Sequence, residues 1–264
     1  DSIRDVAVTG VQTCALPISV CGFLAGNACA GISPIDGAGL LSGIMDPKSY
    51  WEKKILDWEY SRYAGAAFLK PASWTVRKRM QAAIRLAVSL LSRGGRCVEF
   101  GCGSGLLAER ILSERGDISY LGLDFSQRAI DLARKRVPVE RAEFRCEDVL
   151  ESEAPAADLV IFLGLLDWLE PSDIGDFFKN IRASILLFSF TEKSWLSQHG
   201  PYAWYRAYYD SFFGHGAYGA RSYEWSDIEK WLKLLGPGRV ELAPKRLFDP
   251  GRIVVFRRVS ADEG

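Results

Sequence analysis

The chain has 264 residues, a formal net charge of zero and 48% hydrophobic residues. That length supports one globular domain with additions around a substantial core. Balanced charge leaves no basic excess to suggest nucleic-acid binding. The six cysteines form no C-x-x-C pair, and His199 and His215 are the only histidines. A zinc site therefore lacks a ligand set, and reduced, cytosolic thiols are the simpler reading.

Residues 1–44 do not resemble the rest. From Val6 to Ile35 there is no charged residue, yet polar residues and glycines are scattered throughout. The stretch is too polar for a membrane span. A signal peptide competes, because Ala28-Cys29-Ala30 fits an A-x-A cleavage pattern, although Arg4 between Asp1 and Asp5 makes a poor start. Residues 8–19, VTGVQTCALPIS, resemble translated sequencing-adapter read-through, which would place the native start at Met45. We expect this leader to be non-native or poorly ordered and exclude it from fold reasoning.

Asp46-Pro47 reads as a helix start, followed by Trp51, Ile55 and Trp58 at spacings of four and three. This helix runs to about Tyr63. It either packs its aromatics on the core or forms a flap within residues 45–74. A second helix spans 75–92, with Val76, Met80, Ile84, Val88 and Leu91 on one face and Gly94-Gly95 at its end.

Residues 96–111, RCVEFGCGSGLLAERI, organise the remainder. They read as buried strand, glycine turn and helix start. Such a turn lets a ligand approach the main chain, and the free N–H groups of the helix start favour a negative group. A dinucleotide fingerprint, G-x-G-x-x-G/A, fails here because Leu106 takes the third slot. What stands is Glu99-x-Gly101-x-Gly103-x-Gly105. This resembles motif I of class I S-adenosylmethionine (SAM)-dependent methyltransferases, whose form is acid-x-Gly-x-Gly-x-Gly.

Next comes a strand at 120–125 that ends in Asp124, with Ser126 able to cap a helix carrying Ile130 and Ala133. An acid at this point can accept from ribose hydroxyls of either cofactor class. A third strand at 142–149 ends in Glu147-Asp148-Val149. Residues 157–164, ADLVIFLG, are the continuous apolar run expected of a central parallel strand. It leads to Asp167, which either contacts substrate, caps a helix at 173–181, or solvates the loop. A fifth strand follows at 183–190.

Eleven aromatics and both histidines then fall within residues 195–225. Tyr205, Tyr208, Tyr209 and Phe212 would share one helical face. Either a helix covers the sheet here, or residues 191–224 form a substrate lid with aromatic walls. Ser226-x-x-Glu229 reads as a capping box. Strands at 239–248 and 252–259, joined by Asp249-Pro250-Gly251, must be antiparallel because the connection is short. A nicotinamide domain ends in a parallel strand, so the hairpin also favours the methyltransferase resemblance.

That resemblance covers roughly 75–259. It implies an α/β, Rossmann-like sheet of seven strands in order 3-2-1-4-5-7-6, with strand 7 antiparallel and helices on both faces. It implies SAM as cofactor, held by Glu99, Phe100, Gly101, Gly103, Gly105, Asp124, Phe125, Asp148, Val149 and Gly164, with Glu147 as the alternative to Asp148. The neutral charge and aromatic segment point to a small-molecule acceptor, O- or N-directed, without nucleic-acid or membrane partners. The tetrapeptide of amino-methylating DNA enzymes is absent, since Gly164-Leu165-Leu166-Asp167 occupies its place. Should the acceptor lose a proton, Asp167, His199 and His215 are the candidate bases. A non-catalytic SAM-binding regulator and a nicotinamide-dependent oxidoreductase remain the alternatives.

Overall fold

Alternation within each strand divides the core into two layers, one on each face of a single sheet. In the computed structural model, which describes residues 47–63, 71–152, 155–193, 199, 221–244, 249 and 251–259, the strands are β1 (Gly95–Phe100), β2 (Ile118–Asp124), β3 (Ala142–Cys146), β4 (Ala157–Leu163), β5 (Ala183–Thr191), β6 (Gly238–Leu242) and β7 (Gly251–Arg258). Their order is β3-β2-β1-β4-β5-β7-β6. The first five pair in parallel, and β7 runs antiparallel to both β5 and β6. The sheet order and the antiparallel strand 7 match the sequence expectation. The leader and His215 lie outside the described residues.

Val98, Phe100, Leu121, Val160, Phe162 and Phe188 fill one face. The rings of Phe162 and Phe188 stack there at 4.9 Å, with Phe177 and Phe178 packed edge-on. These last two come from α5 (Pro171–Asn180), and α6 (Trp225–Lys233) closes the layer with Ile228 and Leu232. The opposite face packs under α2 (Pro71–Leu90), α3 (Leu106–Glu114) and α4 (Gln127–Arg136) through Ile84, Ala87, Leu107, Ile111, Ile130 and Ala133. Burying such side chains contributes about 1.5–3 kcal/mol each. Among the described residues, no helix is long and apolar enough to cross a membrane.

Several boundaries differ from expectation for local reasons. Strand three stops at Cys146, because Asp148 turns its own carboxylate onto the Leu150 N–H at 3.0 Å and starts a turn. The box at α6 is Glu224 with Asp227, not Ser226 with Glu229; Glu229 instead accepts from Trp225 Nε1 at 2.7 Å. The final pair is antiparallel; beyond Leu242 the Ala243 N–H still donates to the Ile253 carbonyl at 3.0 Å, and residues 245–248 and 250 of the connection lie outside the described residues. Within that connection Asp249 Oδ1 accepts the Gly251 N–H at 2.9 Å.

Candidate active site

At the carboxyl end of β1 the chain turns sharply into α3. Gly101, Gly103 and Gly105 have φ of 70°, 52° and 73°. At Gly105 the need for glycine is also spatial, since a Cβ there would meet the Ala133 Cβ at 3.0 Å. The turn is tied to the end of β2 by Gly101 N–H and Cys102 N–H, which donate to the Leu123 carbonyl at 2.8 and 3.1 Å. Asp124 completes the tie. Its Oδ2 accepts the Gly103 N–H and its Oδ1 the Ser126 N–H, both at 2.9 Å. A carboxylate has about four acceptor sites, so two remain for a ligand. Ser126 in turn caps α4 through the Ala129 N–H.

Two acids here are held above the ordinary carboxylate range. Burial pushes Glu99 from 4.5 to about 8, opposed by the Tyr120 hydroxyl and reinforced by Asp124 and Glu59. Burial pushes Asp124 from 3.8 to about 6; the Ser126 and Gly103 N–H groups oppose this, and Glu59 and Glu52 add to it. The thiols of Cys97 and Cys102 are pushed up by burial and by Glu99 beside them. They are inert as nucleophiles in that state.

The other sequence candidates divide. Phe100 is a core residue whose ring packs on Phe162 and Phe177, leaving only its backbone beside the turn. Gly164 stands at the end of β4 with φ 71° and open space where a Cβ would lie. Phe125 and Val149 sit just beyond β2 and β3, both partly buried. Asp148 is also partly buried, with one oxygen serving its own turn. Glu147 faces Arg145 at 3.9 Å. His199 is solvent-exposed.

Asp167 has a structural partner that the sequence did not suggest. It is 5% exposed, and its two oxygens accept the Thr191 N–H at 2.9 Å and the Thr191 hydroxyl at 2.7 Å. It clasps the turn after β4 to the end of β5. Arg221 N–H donates to the Asp167 carbonyl, and Tyr223 and residues 191–193 exchange backbone bonds. The aromatic segment therefore leaves and rejoins the described chain beside this clasp.

Sequence reasoning missed Glu59, Ser104, Tyr120 and Arg136. Glu59 lies on α1 (Pro47–Tyr63), which packs on α2 and α4. Its Oε1 accepts the Ser104 N–H at 2.9 Å, and its Oε2 accepts the Ser104 hydroxyl. Arg136 donates to the same hydroxyl oxygen at 2.6 Å. The negative group expected at this turn is thus supplied by the chain itself. Glu59 shares a helix face with Trp51 and Ile55, but nothing in the sequence says that a charged residue there would face the turn; Tyr120 was legible only as a polar ring on a buried strand face.

Comparison with known proteins bears on the fold. Residues 98–186 match the family model of a methyltransferase domain. A malonyl-[acyl-carrier protein] O-methyltransferase of Bacillus cytotoxicus is 29% identical over 98 residues, 36% of this chain and 34% of that protein. The match thus spans about a third of that relative's length. The SAH-bound magnesium protoporphyrin IX methyltransferase of Synechocystis PCC 6803 superposes with a TM-score of 0.62 at 18% identity, over 81% of this chain and all of that one. A putative O-methyltransferase from Nostoc punctiforme PCC 73102 does so at 0.54 and 13% identity, over 81% and 70%. Residues 98–186 thus resemble a methyltransferase domain, and the sheet that carries them has the fold of class I SAM-dependent methyltransferases.

Proposed function

We propose that the chain transfers a methyl group from SAM to a small-molecule acceptor, at oxygen or nitrogen. One observation carries the reading. A buried acid, a glycine turn with three left-handed residues and a ribose-competent acid converge where β1 and β2 end, at the open edge beside Gly164. Glu99 would hold the ammonium end of the cofactor, the turn backbone its amino-acid part, Asp124 the ribose and Asp148 the adenine. The cofactor supplies a methyl group already activated by a sulfonium charge. The protein's contribution is then alignment and exclusion of water.

The aromatic segment supports a small, apolar or ring-bearing acceptor. Its two ends are fixed at the carboxyl edge of β4 and β5, where open α/β sheets bind ligands. Asp167 fixes that edge through Thr191, which donates to both its oxygens.

The test is formation of S-adenosylhomocysteine (SAH) from SAM across a panel of phenols, carboxylic acids and amines. Acceptor-dependent SAH formation, lost in Asp124→Ala, supports the reading. Cofactor binding without turnover on any member would favour the non-catalytic regulator.

A further inference from the structure

The sheet ends at β6. Among the described residues this strand pairs with β7 alone, and each of its residues is exposed. The register decides which of its backbone groups face outward. Ala243 N–H donates to the Ile253 carbonyl at 3.0 Å, and Val259 N–H to the Pro237 carbonyl at 3.1 Å, at the two ends of the ladder. Hydrogen-bonded pairs alternate along antiparallel strands, so Arg239 and Glu241 also bond to β7. The N–H and C=O groups of Gly238, Val240 and Leu242 therefore point away from the sheet, as a template for a further strand.

The side chains say which strand fits. Val240 and Leu242 lie on the face of Phe256 and Val254, yet each is 40% exposed. On the other face Arg239 stands directly across from Arg257, and Glu241 Oε1 accepts from Arg257 Nε at 3.2 Å. Like charges directly opposite are destabilising, so a further carboxylate beside Arg239 would be favourable. A second β6, antiparallel about Val240, brings one. In that register Val240 exchanges backbone bonds with the second Val240, and Gly238 with the second Leu242. Arg239 then faces the second Glu241 in a close, non-hydrogen-bonded pair, and symmetry repeats the contact. A slip of one side-chain repeat opposes Arg239 to Arg239 in one direction and Glu241 to Glu241 in the other. Charges that blunt an edge repel a second copy; here opposite signs flank an apolar centre and attract one.

We propose that β6 pairs with β6 of a second copy of this chain, antiparallel about Val240, to give a two-fold dimer with one continuous sheet. Val240 and Leu242 are covered by their counterparts, and Glu241 accepts from Arg257 of its own chain and Arg239 of the other. The sheet order places β1 and β2 away from this edge, so pairing leaves the proposed cofactor crevice of each copy uncovered. The dimer does not depend on the cofactor reading.

The experiment is sedimentation velocity of the full chain from about 1 µM to about 1 mM. An edge this short makes a small interface, so half-dimerisation is expected between about 10 µM and 1 mM. Arg239→Glu and Glu241→Arg should each weaken self-association at least tenfold, by about the loss of one favourable pair and the gain of one repulsion. An equimolar mixture of these two variants should associate again, because the acidic edge of one faces the basic edge of the other. Val240→Pro removes an outward N–H and leaves the bonds to β7; it should abolish the dimer, and it serves should Glu241→Arg fail to fold for want of its bond to Arg257. Melting curves check the fold of each variant. Amide exchange at Val240 and Leu242 should slow as concentration rises, with Arg239 and Glu241 protected throughout. A parent chain that stays monomeric to about 1 mM overturns the proposal. So does a dimer that is indifferent to Val240→Pro, or a mixture that associates no better than its folded components. Outward amides protected even at the highest dilution would show that another part of the chain covers the edge, which also overturns it.

Discussion

The Tyr120 hydroxyl donates a 2.6 Å hydrogen bond to Glu99 Oε2 beneath the glycine turn. Both side chains are buried, and the pair joins adjacent parallel strands. Burial outweighs this bond, so Glu99 carries a proton in the free, folded protein well above the usual range. Its folded value of about 8 exceeds the ordinary 4.5. The stability it contributes is fully present below about pH 4.5 and is lost as pH rises towards about 8. Melting temperature without ligand should fall across that window, and Glu99→Gln should flatten the fall. Calorimetric or fluorescence melts at stepped pH check this.

Ligand binding should reverse the protonation. A cationic ammonium placed at Glu99 favours the ionised carboxylate. At neutral pH, cofactor binding should therefore release up to about one proton, and Glu99→Gln should release none. Titrations in buffers of different ionisation enthalpy read the proton count directly.

Asp124 gives a second, separable pH effect. Only its ionised form accepts from two backbone N–H groups and two ribose hydroxyls at once. With its value raised to about 6, cofactor affinity should weaken as pH falls below that point. Asp124→Asn should cost about ten- to a hundredfold in affinity and remove this acid limb. Affinity measured against pH for both proteins tests it.

Asp167 and Thr191 form a clasp, and its loss should show in stability. Asp167→Ala leaves the Thr191 N–H and hydroxyl buried without these acceptors. The expected cost is about 2–4 kcal/mol. If Asp167 were instead the base, Asp167→Asn would abolish turnover with a nearly unchanged melting temperature. Denaturant unfolding beside turnover rates separates the two.

Glycines with similar φ should differ sharply in tolerance. At Gly105 an added Cβ would press on Ala133 and Phe144, whereas at Gly164 it meets nothing within 4 Å. Both substitutions incur left-handed strain of about 1–2 kcal/mol. Gly105→Ala should lose about 2 kcal/mol beyond that from the clash. Gly164→Ala should lose only the strain, about 1–2 kcal/mol. Parallel melts of the two variants decide this.

Much of the fold was legible because its signals are local. The apolar run of β4, the glycine turn after β1 and the capping serine of α4 each announce themselves within a few residues. The antiparallel end was legible because the connection between its strands is too short for a parallel return. The site was less legible wherever a side chain acts across the fold. Glu59 reaches Ser104 from 45 residues away, and Asp167 reaches Thr191 from 24. Neither pairing leaves a periodic trace. An isolated acid after a strand reads equally as base, cap or solvated loop until its partner is known.

The central claim is that the β1–β2 crevice holds SAM. Its most direct test is calorimetric titration of the chain with SAH, alongside NADH and an Asp124→Ala control. Micromolar SAH binding, lost in the control and absent for NADH, is the predicted result. Binding of NADH in place of SAH, or of neither ligand, would contradict it.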